Sequence, residues 1–134
     1  MRRNKLHGVA DPIRVAVIED NEVFREALEL LLGLDTEVEV VGSAPDGEDA
    51  VELCERTSPD VLVVDYRLPG PDGVQVTSAV RAACPNVVVL CLTAGVNSRE
   101  EAALRDAGAV GCVTKNESLD DIVAAIKQAG RGET

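Results

Sequence analysis

The chain has 134 residues, 24 acidic and 13 basic, and a formal net charge of −11. That length fits one domain burying roughly 68–70% of its unfolded surface, and with no Trp, one Phe (Phe24) and one Tyr (Tyr66) its core must be aliphatic. The charge argues against a grip on nucleic-acid phosphates, and no apolar run reaches the length of a membrane span, so a protein or a cation is the expected partner.

Residues 1–12 read as a short lead-in. Arg2, Arg3 and Lys5 are too few for a nucleic-acid arm, His7 is expected to be solvated, and without an apolar stretch the segment is not a secretory signal. Ile13 to Ile18 reads as a first strand that stops at Glu19-Asp20-Asn21, and Phe24, Ala27, Leu28, Leu31 and Leu32 then mark a helix ending at Gly33. Val38 to Val41 is a second strand, Gly42 to Gly47 a loop, and Glu48 to Arg56 a second helix closed by Pro59.

Val61-Leu62-Val63-Val64 is an uninterrupted apolar run that ends on Asp65, the pattern of a parallel strand buried on both faces. The turn formers Leu68-Pro69-Gly70-Pro71-Asp72-Gly73 follow, then a helix from Gly73 to Ala83 with Val76 and Val80 on one side, ended by Pro85. Val87 to Leu92 is a fourth strand delivering Thr93-Ala94-Gly95, and Ser98 to Ala107 a helix with little apolar area, hence weakly anchored. Val110 to Val113 is a fifth strand ending near Lys115, and Ser118 can cap a last helix striped by Leu119, Ile122, Val123 and Ile126. Strands alternating with helices imply an α/β fold, a parallel sheet with helices on both faces.

In such sheets ligands bind at the carboxyl edge, where Glu19, Asp20, Asp65, Thr93 and Lys115 converge. Two carboxylates about 4 Å apart repel by roughly 4 kcal/mol at an effective dielectric near 20, so a cation is expected there. Hard oxygen ligands favour Mg²⁺, or Mn²⁺, over zinc. A carboxylate beside that ion, with a hydroxyl and an ammonium aimed at one point, suits phosphoryl transfer to aspartate, with Asp65 attacking and Thr93 and Lys115 holding the phosphoryl oxygens.

Plainer readings exist for each residue alone. Acidic residues favour helix N-termini, as at Glu19-Asp20; Asp65 can be a turn former and Thr93 a β-former. Their convergence on one edge decides against these. Cys54, Cys84, Cys91 and Cys112 show no metal-binding or CxxC spacing and read as reduced cytosolic thiols; Cys91 and Cys112, in aliphatic strands, read as small buried hydrophobes rather than sensors of oxidation.

Glu19-Asp20, Asp65 with Leu68-Pro69-Gly70 and Asp72-Gly73, Thr93-Ala94, and Gly108 through Lys115 resemble, in order and spacing, the receiver domain of two-component response regulators, most closely the NarL/FixJ class. The resemblance implies a doubly wound, flavodoxin-like five-stranded sheet of order 2-1-3-4-5 with five helices over residues 13–130, and a linker or tail beginning at 131–134. It implies that Asp65 accepts phosphate from a sensor histidine kinase in the cytoplasm, with self-phosphorylation and self-dephosphorylation the only chemistry. Asp20, Asp65 and the backbone carbonyl of Arg67 would ligate Mg²⁺, Glu19 would act through water, and Thr93 and Lys115 would meet the phosphate.

Phosphorylation would move the face made by the fourth helix, fifth strand and fifth helix. It would also drive homodimerisation, through the first and fifth helices or the fourth-helix face. A DNA-binding output domain would follow a linker starting where this chain ends, the alternative being a single-domain receiver. Two positions depart from the pattern: Cys112 stands where an aromatic residue is usual, and Asn116 replaces a proline after the lysine, so a trans bond is expected there. An aspartate-nucleophile phosphatase is disfavoured because Arg67 occupies the place of its general acid. A flavin carrier is disfavoured because Glu19-Asp20 replaces a phosphate loop.

Overall fold

The β3 segment, Val61–Asp65, sets the layering of the molecule. Val61 and Val63 pack into one hydrophobic cluster and Leu62 and Val64 into another, so alternate residues of one apolar run serve opposite faces of the sheet. The computed structural model describes residues 11–132; most of the lead-in, with His7, Arg2, Arg3 and Lys5, and the last two tail residues lie outside that range.

Around β3 stand β1 (Ile13–Ile18), β2 (Val38–Ala44), β4 (Val88–Thr93) and β5 (Gly111–Thr114), all parallel, in the order β2-β1-β3-β4-β5. The helices are α1 (Glu22–Leu34), α2 (Ala50–Thr57), α3 (Gly73–Ala83), α4 (Ser98–Ala107) and α5 (Leu119–Arg131). Leu28 and Leu32 of α1 and Ile122, Val123 and Ile126 of α5 fill one face; Leu53 of α2 and Val76 and Val80 of α3 fill the other. α4 contributes a single fully buried side chain, Leu104, to a small third cluster with Cys91 and Ala109, as its thin apolar side predicts.

Side-chain caps fix where helices begin. Asp72 and Gln75 form a reciprocal box at α3, Asn97 and Glu100 another at α4, and Ser118 accepts from the Asp121 N–H at α5. Several boundaries differ from the sequence reading. β2 runs on to Ala44 because Gly42-Ser43-Ala44 pair with Ala16–Ile18 after a register shift at Val15/Ala16. A Cβ at Gly42 would lie 2.7 Å from Leu53 Cδ1, so glycine there lets α2 approach the strand.

Residues 47–49 form a 3-10 turn capped by Asp46, which delays α2 to Ala50, and α2 stops at Thr57 because Ser58 turns left-handed at φ 48°. α1 passes through Gly33 to Leu34, β4 starts at Val88, and β5 is shifted one residue later than expected. No peptide bond among the described residues is cis.

An ion-pair cluster ties α5 to the α1–β2 connection: Lys127 Nζ lies 2.9 Å from Asp35 Oδ2 and 2.7 Å from Glu37 Oε1, and Arg131 also meets Glu37. Lys127, helped by the Glu37 N–H, holds the Asp35 carboxyl below its ordinary value of 3.8. A depressed acid stabilises the fold above its unfolded pKa and loses that contribution as pH falls through the folded one. Urea titrations should therefore find Asp35→Asn less stable than the parent at neutral pH, the gap closing as pH drops below 3.8.

Candidate metal and phosphoryl site at the carboxyl edge

Each strand end carries one part of the site. Glu19 follows β1 directly; its N–H donates to the Ala44 carbonyl at 3.1 Å, its Oε2 accepts from the Asn21 N–H at 3.0 Å, and its side chain is fully buried. Asp20 beside it is exposed. Asn21 caps α1 by accepting from the Phe24 N–H at 2.9 Å, so the chain turns into a helix as soon as the two acids are placed.

Asp65 ends β3, opposite Leu92 of β4, and is 5% exposed. Gly73 closes the loop behind it: its N–H donates to the Tyr66 carbonyl at 2.8 Å, and a Cβ there would come within 2.9 Å of Tyr66 Cα. Thr93 ends β4, nearly buried, its Oγ1 accepting from the Gly95 N–H at 2.9 Å. Lys115 comes just after β5, where its N–H donates to the Thr93 carbonyl at 2.8 Å.

The Lys115 ammonium lies 2.6 Å from Glu19 Oε1 and 3.1 Å from Asp65 Oδ2. Burial alone would lower its pKa, but the two carboxylates outweigh burial and hold it above the ordinary lysine value. Burial pushes the Glu19 carboxyl up, partly opposed by Lys115 and reinforced by the Asp65 charge. One carboxylate oxygen each from Glu19, Asp20 and Asp65 lie within 4.8 Å of one another. Three hard oxygen donors this close, one of them on an exposed residue, can hold a metal ion.

Two contacts were not foreseen from the sequence. Phe24, expected only as part of the helix stripe, presents its ring 4.8 Å from Lys115 Nζ, a cation–π contact. Lys115 also pairs with Glu19, not with Asp65 alone. Arg67 is exposed; its guanidinium lies 5.3 Å from the Tyr66 ring and 3.8 Å from Glu100. All four thiols are free; Cys54 and Cys91 are buried, whereas Cys84 and Cys112 are half-buried, so Cys112 is less enclosed than expected, and burial pushes Cys54 up to about 12 and raises Cys91 and Cys112 as well.

Residues 15–127 match the response regulator receiver domain family. The chain is a response regulator receiver domain. It is 33% identical over 120 residues to the transcriptional regulatory protein DegU of Brevibacillus brevis, covering 90% of this chain and 51% of that protein. It is 37% identical over 127 residues to the probable transcriptional regulatory protein NarL of Mycobacterium tuberculosis, covering 91% of this chain and 56% of that one. The receiver domain thus spans a little over half the length of these curated relatives.

The solved signal receiver domain of M. tuberculosis NarL superposes with a TM-score of 0.87 at 36% identity, covering 92% of this chain and 99% of that one. A LuxR-family response regulator from Aurantimonas gives 0.85 at 30% identity, covering 91% and 87%. The sheet order 2-1-3-4-5 is the flavodoxin-like order of receiver domains.

Proposed function

We propose that Asp65 is the phosphoacceptor of this receiver and that a sensor histidine kinase supplies the phosphoryl group. The observation that carries this reading is the position of Asp65 at the end of the central strand, with the Lys115 ammonium 3.1 Å away and Glu19 and Asp20 alongside. In the transfer, a carboxylate oxygen of Asp65 forms the new O–P bond as the N–P bond of the phosphohistidine breaks, and the leaving ring nitrogen keeps the electron pair.

Asp20, Asp65 and the Arg67 carbonyl would hold Mg²⁺ or Mn²⁺, with Glu19 acting through water, and the ion would supply charge neutralisation for the phosphoryl oxygens. Lys115 pairs with those oxygens, and Thr93 turns its hydroxyl toward them. No histidine base is required, because positioning and electrostatics do the work.

The reading extends to a cytoplasmic receiver portion of a DNA-binding regulator, supported by the transcriptional regulators it resembles; no helix among the described residues is long and apolar enough to cross a membrane. Homodimerisation on phosphorylation is supported by Val23, Leu30 and Leu34, the large exposed hydrophobics among the described residues, which fall at i, i+7 and i+11 along one side of α1.

Incubation with a small phosphodonor and Mg²⁺ should add one phosphoryl group by intact mass, and Asp65→Asn should add none. Light scattering on the same samples should show the mass doubling. No adduct from any donor would sink the phosphoacceptor reading, and an adduct at unchanged mass would sink the dimer.

A further inference from the structure

The side chain next to Asp65 reaches out of the site to the helix that is least well anchored. Tyr66 has its backbone pinned on both sides: its N–H donates to the Leu92 carbonyl and its carbonyl accepts from the Gly73 N–H, each at 2.8 Å. Its ring packs, half-buried, against the cluster of Cys91, Leu104 and Ala109, which Cys112 also flanks. Its hydroxyl donates to Glu100 Oε2 at 3.3 Å.

Glu100 is in the first turn of α4, where its Oε1 accepts from the Asn97 N–H at 3.0 Å in the capping box. One carboxylate thus starts the helix with one oxygen and holds it to the β3–α3 loop with the other. Farther along, Leu104 is the one fully buried side chain of α4, and at the N-terminal end the Arg67 guanidinium also reaches Glu100, at 3.8 Å, so the first turn is held from the β3–α3 loop through this one carboxylate.

We propose that Tyr66 is a positioning residue for α4: its hydrogen bond to Glu100 latches the first turn of α4 in the unphosphorylated protein and is released when Asp65 is phosphorylated. The proposal rests on the phosphoacceptor reading above. The release runs through the β4–α4 loop. Thr93 now accepts from the Gly95 N–H at the start of that loop. A phosphoryl group on Asp65 draws the Thr93 hydroxyl toward it as a donor, the Gly95 N–H bond to the same oxygen takes the loop along, and the loop carries Asn97 and Glu100 away from a tyrosine whose own backbone is pinned on both sides.

Tyr66 is the only tyrosine and there is no tryptophan, so tyrosine emission reports this ring, and a carboxylate acceptor quenches it. With Mg²⁺ and a phosphodonor, emission should rise in step with the adduct seen by mass. In the unmodified protein, Tyr66→Phe keeps the ring and removes the hydroxyl, so amide exchange in the first turn of α4 should become about three- to tenfold faster, as expected for loss of one hydrogen bond. Phosphorylation should then accelerate exchange there little further, while the variant still gains its phosphoryl group. Unchanged α4 exchange in unmodified Tyr66→Phe, or an adduct without change in parent emission, overturns the latch alone. A missing adduct in the parent overturns the phosphoacceptor reading and the release with it.

Discussion

Lys115→Met should lower the stability of the domain by about 3 kcal/mol at neutral pH, because removing one partner leaves buried carboxylate charge uncompensated. Methionine keeps an apolar stem beside the Phe24 ring, so the change isolates the charge. Without the ammonium 2.6 Å away, the Glu19 carboxyl, already raised by burial, moves higher still. A raised acid makes folding less favourable as pH climbs from its ordinary value of 4.5 toward the folded value. The deficit of the variant should therefore be greatest at neutral pH and shrink as pH falls below 4.5.

Urea titration across that range checks the sign. Mg²⁺ should stabilise the variant more than the parent, since the ion then supplies the positive charge that the side chain no longer provides. Phosphorylation from a small donor should slow by about 10²–10³-fold, the usual cost of one lost electrostatic contact to developing negative charge. Rates equal to the parent would remove Lys115 from the proposed chemistry.

Leu28→Ala should cost about 2–5 kcal/mol, whereas Leu30→Ala, two positions along the same helix, should change stability by less than about 0.5 kcal/mol. Leu28 is fully buried in the cluster shared by α1, α5 and the sheet; Leu30 is 66% exposed. Urea midpoints with unchanged slopes are the measurement. Equal losses would mean that the outer side of α1 is covered in solution. Leu30→Ala instead belongs with tests of dimer formation.

The sequence-structure correspondence is best where one residue settles a boundary. Asp72 and Asn97 start α3 and α4 where expected, and the unbroken run of β3 announced a strand buried on both faces, because a half-exposed strand ordinarily alternates apolar with polar residues. It fails where the deciding partner is distant in the chain. Gly42-Ser43-Ala44 has loop composition, yet pairing with Ala16–Ile18 makes it strand.

The site followed the same rule. Strand ends brought Glu19, Asp65, Thr93 and Lys115 to one edge from pattern alone, since parallel strands share an edge. Side-chain reach is different. That Lys115 touches Glu19 as well as Asp65, under the Phe24 ring, depends on packing between α1 and the segment after β5, which no local spacing encodes.

The placement of Lys115 just after the last strand means that the ammonium of the site is made long after its acids. Ile18 and Val64 are register neighbours, so Glu19 and Asp65 meet as soon as β1 and β3 pair, but the lysine follows Asp65 by 50 positions. At about 5–20 residues per second this is a delay of roughly 3–10 s. Were β1 and β3 to pair on the nascent chain, the acids would sit together with no ammonium of their own between them until Lys115 was made, and only ions from the surrounding solution would offset their repulsion.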